Sequence, residues 1–493
     1  MATGFNETLQ WTMGLINASG KYLTAETFGF KITANGANMK VKQIWTLETK
    51  SGDDQFVYLR SPHKRYLSAN EKGEVSASSE EMNENERFIF LPQADGRCAL
   101  KSPHGYYFGG SGDQLSCFTK TISETELWTV HLSMHPQINL RNVQRKCYAH
   151  LVGDELHVDE EVPWGADAML TLEFVRDSGR YRLLASNNKY LTCGGQLTED
   201  ASKPETCFQL EFHGSTIAFK DCNGKYLAGV GSKGTLQSRR DVVDKDERFV
   251  LEDSHPQATI IAANGRAASI TRGTEVAASM SEDDVGDKET FQFEINKETN
   301  KWSVRASSKN YWTAAGATIQ ATAAQRDDAC WYDVKWDGQY IMLQTCSGKF
   351  VTMKPNGTLA TNGEDGDDPK CRFIFTLINR PILVLRGEYG FIQPKSGKSG
   401  RYDCNRSGYE VLKMSATRGV YTLVGANGKP WGMDEATKSF SADGDADFNV
   451  SLELVRHTRM LIKCPNGSYL RGESNGLLGA TGAGLDKETL WEY

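Results

Sequence analysis

The chain has 493 residues and a formal net charge of −7, with 56 Lys and Arg against 63 Asp and Glu. This balance argues against general nucleic-acid binding, so we expect no nucleic-acid partner. Hydrophobic residues make up 39% and charged residues 24%, which are ordinary globular values. No apolar run is long enough for a bilayer-spanning helix, so we expect no membrane insertion.

The beginning of the chain and the cysteines both point to the cytosol. Residues 1–11 lack the basic start and apolar core of a secretory signal. Eleven cysteines are scattered without a Cys-x-x-Cys pair, which is typical of reduced thiols in a cytosolic protein. No set of Cys, His and carboxylate residues has the spacing of a catalytic or metal site. We therefore predict a non-enzymatic protein with no cofactor and no bound metal.

A glycine-containing turn that leads into an aromatic and an aliphatic residue begins at 19–25 and recurs along the whole chain. The steps between successive aromatic positions run from 36 to 44 residues, so the repeat is about 41 residues long. The twelve positions are Tyr22, Tyr66, Tyr107, Tyr148, Tyr190, Tyr226, Ala267, Tyr311, Phe350, Phe391, Trp431 and Tyr469.

Each repeat carries the pattern of short strands. Alternating apolar runs such as 56–59 and 181–184 are separated by clusters of Gly, Asn, Asp and Ser, which indicates strands and turns. Asn-Gly pairs at 223, 264, 356, 427 and 466, and Asp-Gly pairs at 95, 337 and 443, predict two-residue hairpin turns. The fold class is therefore all-β. Trp45, Trp128, Trp312 and Trp431 are predicted to lie in the core.

Three short linkers divide the twelve repeats into groups of three. His-Pro-Gln occurs at 135–137 and again at 255–257, and Asn-Arg-Pro follows at 379–381. A period of about 41 residues suits a propeller blade or one third of a β-trefoil, but twelve blades exceed the usual range. We predict four tandem β-trefoils, 1–138, 139–258, 259–380 and 381–493, packed into a compact multi-lobed molecule by linkers too short for independent tumbling.

At this point the sequence resembles one known family over its full length, the fascins, which bundle actin filaments and consist of four tandem β-trefoils. Several of the resembling segments lie outside the shared trefoil repeat. They are 14–17, 21–26, 28–31, 42–48, 134–137, 377–382, 386–388 and 490–493. The resemblance implies a monomeric cytoplasmic protein of the actin cytoskeleton and of actin-rich protrusions such as filopodia. It also implies that F-actin is the partner, crosslinked through at least two separate surfaces.

The resemblance also implies which residues bind actin. Fascins are associated with filament binding at the cleft between the first and fourth trefoils and at a basic segment after the first repeat. On the first trefoil this implies Lys40 and Lys42, with Lys21 and Lys31 beside them. The fourth trefoil offers Glu388, Tyr389, Lys395, Arg471 and Glu473, and Lys354 resembles a basic position of a second surface on the third trefoil.

The sequence departs from the family pattern at several of these places. Many relatives have a phosphorylatable serine just before the basic segment, where this chain has Asn38 followed by Met39. We therefore expect that phosphorylation switch to be missing. Val41 interrupts the run of lysines, and Ser396 and Ser474 replace more polar or basic residues, so the surface is expected to be weaker or shifted.

Four other patterns were weighed against this interpretation. Residues 229–234 match the Gly-x-Gly-x-x-Gly fingerprint, but the strand-like 235–238 follows where a dinucleotide site needs a helix. The acidic turns 364–368 and 443–447 lack the flanking helices of a calcium loop. His131 and His135 would pair on a metal only within a helix. The alternative function is a carbohydrate-binding, lectin-like β-trefoil, although its Gln-x-Trp motif occurs only once, at 43–45.

Overall fold

The computed structural model describes residues 10–50, 53–271, 273–395, 400–444 and 448–493. Within these residues every regular element is a β-strand or a single 3-10 turn, and none is an α-helix. No helix in this part of the chain is long and apolar enough to span a membrane. The prediction of an all-β protein built from tandem β-trefoils is confirmed.

The first trefoil is a six-stranded antiparallel barrel with three hairpins. Barrel strands β1, β4, β5, β8, β9 and β12 close through Met13↔Leu132 and through a bridge between Cys98 and Trp128. Strands β1–β12 are Gln10–Ile16, Tyr22–Ala25, Ile32–Gly36, Trp45–Lys50, Asp53–Arg60, Tyr66–Ala69, Val75–Ser79, Arg87–Pro92, Cys98–Lys101, Tyr107–Ser111, Gln114–Thr119 and Thr129–Leu132.

The second trefoil repeats this plan, with a bridge between Tyr181 and Phe208 in the barrel. Strands β13–β24 are Gln137–Asn142, Tyr148–Val152, Glu155–Glu160, Leu170–Val175, Arg180–Leu184, Tyr190–Leu191, Leu197–Thr198, Gln209–His213, Thr216–Lys220, Tyr226–Val230, Thr235–Arg240 and Phe249–Asp253.

The third trefoil has the same closure, with its bridge between Trp302 and Tyr332. Strands β25–β36 are Gln257–Ile261, Ala267–Thr271, Glu275–Met280, Phe291–Ile295, Trp302–Ala306, Tyr311–Thr313, Gln320–Ala323, Asp333–Asp337, Tyr340–Gln344, Phe350–Met353, Leu359–Gly363 and Phe373–Leu377.

The fourth trefoil differs because its first barrel strand is interrupted. The first half, Ile382–Leu383, pairs with Leu412–Thr417, and the second half, Arg386–Gly387, pairs with Trp491–Glu492. Strands β37–β49 are Ile382–Leu383, Arg386–Gly387, Gly390–Pro394, Tyr402–Arg406, Leu412–Thr417, Val420–Val424, Gly432–Met433, Phe440–Ser441, Ser451–Arg456, Arg459–Lys463, Tyr469–Gly472, Leu478–Gly482 and Trp491–Glu492. The exact division of the chain at 138, 258 and 380 stays a prediction.

Short 3-10 turns precede the last barrel strand of most repeats. Their positions are Val41–Gln43, Glu84–Glu86, Glu124–Glu126, Ala166–Ala168, Pro204–Thr206, Lys245–Glu247, Glu282–Asp284, Asp328–Cys330 and Pro369–Cys371. In several of them the third residue folds back on the residue before the turn, as where Glu247 accepts a hydrogen bond from the backbone of Asp244. This closes the turn without a longer helix.

The predicted core tryptophans are buried. Trp45, Trp128 and Trp312 are 0% exposed and Trp431 is 1% exposed. The indole of Trp45 donates to Leu23 O at 3.1 Å, and the indole of Trp128 donates to Phe108 O at the same distance. In the first trefoil these two indoles therefore tie the barrel to its hairpins while their rings fill the core, whereas the indole nitrogens of Trp312 and Trp431 are buried without a hydrogen-bond partner in the described structure.

The Asn-Gly turns are longer than predicted. At Asn223–Gly224, the Asp221 amide donates to Lys225 O, so three residues lie in the loop, and Gly224 takes φ +79°. The other four Asn-Gly pairs have the same hydrogen bonds. The prediction of two-residue loops is wrong there because a type I turn followed by a left-handed residue also favours Asn-Gly. A two-residue turn does occur next to the Asp-Gly pair at 337, but it consists of Gly338 and Gln339, and Asp337 is the last residue of β32.

The chain forms two compact units. The first unit consists of the chain up to Val162 together with Leu170–Glu252. The second unit consists of Pro163–Met169 and Asp253–Tyr493. In the first unit, the hydroxyl of Tyr181 accepts from the backbone of Leu132 at 2.8 Å, and the indole of Trp11 donates to Gly214 O at 2.9 Å. These bonds join the first trefoil to the second.

The second unit has a similar joint between the third and fourth trefoils. The hydroxyl of Tyr421 accepts from the backbone of Leu377 at 2.7 Å, and the indole of Trp336 donates to Leu454 O at 3.1 Å. Within each unit, one tyrosine hydroxyl and one indole are thus among the groups that join consecutive trefoils.

Candidate functional site

The basic segment of the first trefoil lies on the 3-10 turn Val41–Gln43, between β3 and β4. Gln43 is buried; its Oε1 accepts from the backbone of Lys40 at 3.0 Å and its Nε2 donates to Thr24 Oγ1 at 3.0 Å. This anchor fixes the turn to β2, so the exposed side chains of Lys40 and Lys42 extend from a fixed backbone.

The predicted lysines of this trefoil differ in how far they are neutralised. Lys42 lies 3.5 Å from Glu26, and Lys31 lies 2.9 Å from Asp113. In the described part of the chain, Lys40 and Lys21 have no carboxylate within ion-pair distance. Lys21 also closes a turn through its backbone, which accepts from the Asn17 amide. Lys40 is therefore the cation of the segment most available to an acidic partner.

Arg176, in the second trefoil, supports this surface and was missed by the sequence analysis. Its Nη2 donates to Gly20 O and to Ala37 O, both at 2.9 Å, and its guanidinium lies 5.4 Å from the ring centre of Tyr22. Burial raises the pKa of Tyr22 to about 12, although the positive charge of Arg176 opposes this shift. Arg176 fixes the turn that carries Lys21 and the loop that leads to Asn38.

Exposed apolar side chains lie on the same trefoil and were also missed. Phe28, Phe30 and Val41 are 87%, 48% and 58% exposed. The guanidinium of Arg65 lies 4.5 Å from the ring centre of Phe30 and is paired with Glu80 at 2.6 Å. Large exposed aromatic residues are typical of contact surfaces, but their exposure cannot be read from a single sequence.

On the fourth trefoil, one carboxylate brings two of the predicted residues together. Glu488 accepts from the hydroxyl of Tyr389 at 3.1 Å and lies 3.4 Å from Arg471, which also lies 3.8 Å from Asp486. The hydrogen bond to Glu488 raises the pKa of Tyr389. The predicted Glu388 is exposed beside this cluster. Because the carboxylates outnumber the arginine, this surface is not basic in the way that the first trefoil is.

Other predicted residues of the fourth trefoil have separate partners. Lys395 lies 3.7 Å from Asp403, and Glu473 accepts from the side chain of Asn475 at 3.2 Å. In the described residues no ion pair or side-chain hydrogen bond links Lys395 or Glu473 to Glu488. Ser396, one of the departures from the family pattern, lies outside the described residues.

Lys354 lies on the third trefoil in a turn closed by its own backbone. Its amide donates to Thr358 O at 2.9 Å, and its carbonyl accepts from Gly357 at 2.8 Å. Among the described residues, the side chain of Lys354 forms no ion pair. Lys354 is thus placed on a rigid turn of its own, and no described contact joins it to the residues of the fourth trefoil.

The Gly-x-Gly-x-x-Gly segment is a hairpin loop between β22 and β23, as predicted. The guanidinium of Arg145 donates hydrogen bonds to the carbonyls of Gly229, Gly231 and Ser232. The loop therefore directs carbonyl oxygens at a cation, whereas a phosphate site needs N–H groups.

The two histidines of the i,i+4 pair have separate partners. His131 is 2.9 Å from the hydroxyl of Tyr22 and stacks on Phe174, while His135 accepts from the backbone of Gln137 at 3.3 Å. Among the described residues, no group of three or more His, Cys, Asp and Glu side chains could hold a metal ion. Residues 445–447 of the acidic turn 443–447 lie outside the described residues.

The single Gln-x-Trp motif has a structural role. Gln43 is 8% exposed and bonded to Thr24, and Trp45 is fully buried with its indole bonded to Leu23. Neither side chain presents a free polar edge or ring face to a sugar, so this motif gives no support to carbohydrate binding.

Comparison with known proteins gives a consistent family match. The model of the Fascin domain matches residues 19–130, 138–251 and 263–373. Fascin-2 of Mus musculus is 43% identical over 497 residues, which cover 99% of both chains. Fascin of Strongylocentrotus purpuratus is 36% identical over 504 residues, covering 98% of this chain and 99% of that protein. Fascin-3 of Homo sapiens is 25% identical over 489 residues, covering 98% and 97%.

Proposed function

Since the chain belongs to the fascin family, we propose that it binds actin filaments and crosslinks them into parallel bundles. It acts as a monomer without catalytic activity or cofactor, and F-actin is its partner, rather than nucleic acid or the membrane interior. Its place is the cytoplasm, in the actin cytoskeleton of cell protrusions.

The observation that carries this proposal is the basic segment with Lys40 and Lys42. An acidic polymer such as F-actin attracts cations that are exposed and not already neutralised. Lys40 meets both conditions, and Gln43 holds its backbone in place. Each exposed ion pair contributes only about 0.2–1 kcal/mol, so several cations must act together and binding should weaken with salt. The supporting cations are Lys21 and Lys42.

Bundling requires at least a second surface, because a single surface would only decorate a filament. We assign Glu388, Tyr389, Lys395, Arg471 and Glu473 to actin contact on the fourth trefoil, and Lys354 to actin contact on the third. Two surfaces on one chain raise the effective concentration of the second filament once the first is bound.

The test is actin co-sedimentation at low and high centrifugal force, with the wild type and the Lys40→Glu, Lys42→Glu double variant. Low force pellets bundles, whereas high force pellets single filaments. A matched control is Lys64→Glu, Lys72→Glu, which makes the same charge change at exposed lysines elsewhere on the first trefoil. We expect the wild type and the control to bring actin down at low force and the double variant to fail.

Each other outcome has a distinct meaning. Wild-type protein that pellets with actin only at high force has one filament-binding surface, and crosslinking is then wrong. Equal loss in the control variant would mean that net charge, and not the basic segment, controls binding. If the wild type does not pellet with actin at either force, actin binding is wrong, and a glycan-binding screen tests the lectin-like alternative.

A further inference from the structure

Two of the eleven cysteines contact each other in the second trefoil. Cys193 lies in the turn between β18 and β19, and Cys222 lies in the turn between β21 and β22. Their side chains are within hydrogen-bonding contact, although both are free thiols. Cys222 is exposed and Cys193 is half-buried. The pair thus joins two neighbouring repeats and can be reached from solvent on one side.

The backbone explains why the two turns meet. The carbonyl of Cys193 accepts from the amide of Ser238 at 2.8 Å. Ser238 lies on β23 opposite Leu227, which is the second residue of β22. The turn that holds Cys222 ends directly before β22, so the sheet itself brings Cys193 against it. The backbone of the Cys193 turn is thus hydrogen-bonded to the sheet close to the turn that holds Cys222.

We propose that Cys193 and Cys222 are a reversible oxidation site that forms an intramolecular disulfide when the protein meets a hydroperoxide. The exposed sulfur of Cys222 first attacks one peroxide oxygen, breaks the O–O bond and becomes a sulfenic acid as one water leaves. The sulfur of Cys193 then attacks the sulfur of Cys222, the S–O bond breaks, and a second water leaves. Two thiols lose two electrons and two protons, and hydrogen peroxide is reduced to two molecules of water.

The surroundings of the pair set its pH dependence. Burial, together with the charge of Asp221, the contact with Cys222 and the charge of Glu205, raises the pKa of the Cys193 thiol to about 11. A thiolate is the reactive form, so closure of the disulfide should be slow at neutral pH and accelerate as the pH rises. The site therefore responds to sustained oxidation and not to a brief pulse.

The third trefoil contains a natural control. Cys346 occupies the second position of the turn Thr345–Lys349, as Cys222 does in Asp221–Lys225, and both turns have the same two backbone hydrogen bonds. Cys346 is also exposed. Within the described residues, no second sulfur contacts Cys346. The two cysteines thus share turn geometry and exposure and differ in the presence of a neighbouring thiol.

The experiment treats the full-length protein with hydrogen peroxide and maps its disulfides by mass spectrometry without reduction. Trypsin leaves Cys193 and Cys207 on one peptide, because Lys203 precedes Pro204. Cleavage after Glu199 or Glu205 then separates these two cysteines. We expect a linkage of Cys193 to Cys222, a mass loss of about 2 Da for two hydrogens, and full reversal by dithiothreitol. The yield should rise several-fold between about pH 6.5 and about pH 8.5.

Two variants complete the test. In the Cys193→Ser variant, Cys222 should form no linkage and should stop at the sulfenic or higher acids, the same products that we expect at Cys346 in the wild type. Cys346→Ser should leave the linkage yield unchanged, and unaltered circular dichroism would show that both variants fold. Linkage of Cys222 to Cys207, disulfides mainly between two molecules, or identical products at Cys222 and Cys346 would each overturn the proposal.

Discussion

The guanidinium of Arg176 donates to the carbonyl of Ala37 at 2.9 Å, although 139 residues separate them. The same nitrogen also donates to Gly20 O. One cation of the second trefoil therefore holds two loops of the first trefoil, next to the basic segment. This makes the geometry of the proposed actin surface depend on a residue outside the trefoil that carries it.

Replacing Arg176 with alanine should weaken actin bundling while the fold is retained. Loss of hydrogen bonds from a charged donor should lower the apparent affinity for F-actin by about threefold to tenfold. The control is Arg180→Ala, which removes the same charge from the same loop region but no described hydrogen bond to Gly20 or Ala37. Quantitative co-sedimentation measures both. Equal losses in the two variants would assign the effect to net charge and not to positioning.

Replacing Glu488 with glutamine should strengthen actin binding through the fourth trefoil. The substitution removes the negative charge that lies 3.4 Å from Arg471 and leaves the guanidinium less neutralised. Since exposed ion pairs are weak, we expect a gain in affinity of about twofold to fivefold. Glu435→Gln, at an exposed glutamate of the same trefoil, is the control. Unchanged affinity in Glu488→Gln would count against contact between Arg471 and actin.

Replacing Tyr181 with phenylalanine should destabilise the first compact unit. The Tyr181 hydroxyl accepts from Leu132 N at 2.8 Å and donates to Val130 O at 3.1 Å, with the side chain buried. Its loss leaves a buried N–H without a partner, which costs about 1–3 kcal/mol. Tyr190→Phe, at a half-buried ring of the same trefoil, should cost less. Denaturant unfolding measures both, and equal free-energy changes would contradict this role of the hydroxyl.

His255 should make the second unit less stable in mild acid. Its Nδ1 is buried without a hydrogen-bond partner in the described structure. Burial lowers the pKa of His255, against the opposing charge of Glu294, and the neighbouring His457 lowers it further. In mild acid the unfolded chain therefore binds a proton at His255 that the folded chain does not bind. The stability from this group is complete above about pH 6.5 and falls as the pH drops below that value.

The measurement is the melting temperature at about pH 7.5 and about pH 5.5. His255→Gln should lose less of its melting temperature between these values than the wild type does. His104→Gln, in the first trefoil, is the control and should keep the wild-type dependence. An unchanged pH dependence in His255→Gln would show that other groups control the acid sensitivity.

Most of the fold could be predicted because its signals are local. The turn and the aromatic residue that begin at Tyr22 recur at a fixed period, and a repeat that alternates strands and turns leaves few architectures. The length of the turn at Asn223 could not be predicted, because Asn-Gly suits both two-residue and three-residue loops. The break in the first strand of the fourth trefoil had no sequence signal either.

The candidate site was predictable only where it is contiguous in sequence. Lys40 and Lys42 lie on one short turn, and the family resemblance singled them out. Arg176 was missed because its partners are 139 and 156 positions away. Glu488 was missed because it is one of 63 acidic residues, and only folding brings it to Arg471. Long-range contacts of this kind depend on the register of strands that a single sequence does not specify.

The joints within the two compact units have a mechanical consequence. The proposed crosslinking would load the protein when the connected filaments slide or separate, and tension would then pass through the contacts that join its trefoils. In each unit a tyrosine hydroxyl, that of Tyr181 or Tyr421, bridges neighbouring trefoils close to the linker, and an indole, that of Trp11 or Trp336, bridges them at a second place. A short peptide linker alone would bend under shear and twist, whereas these bridges resist both. Each pair of trefoils should therefore yield to force as one body.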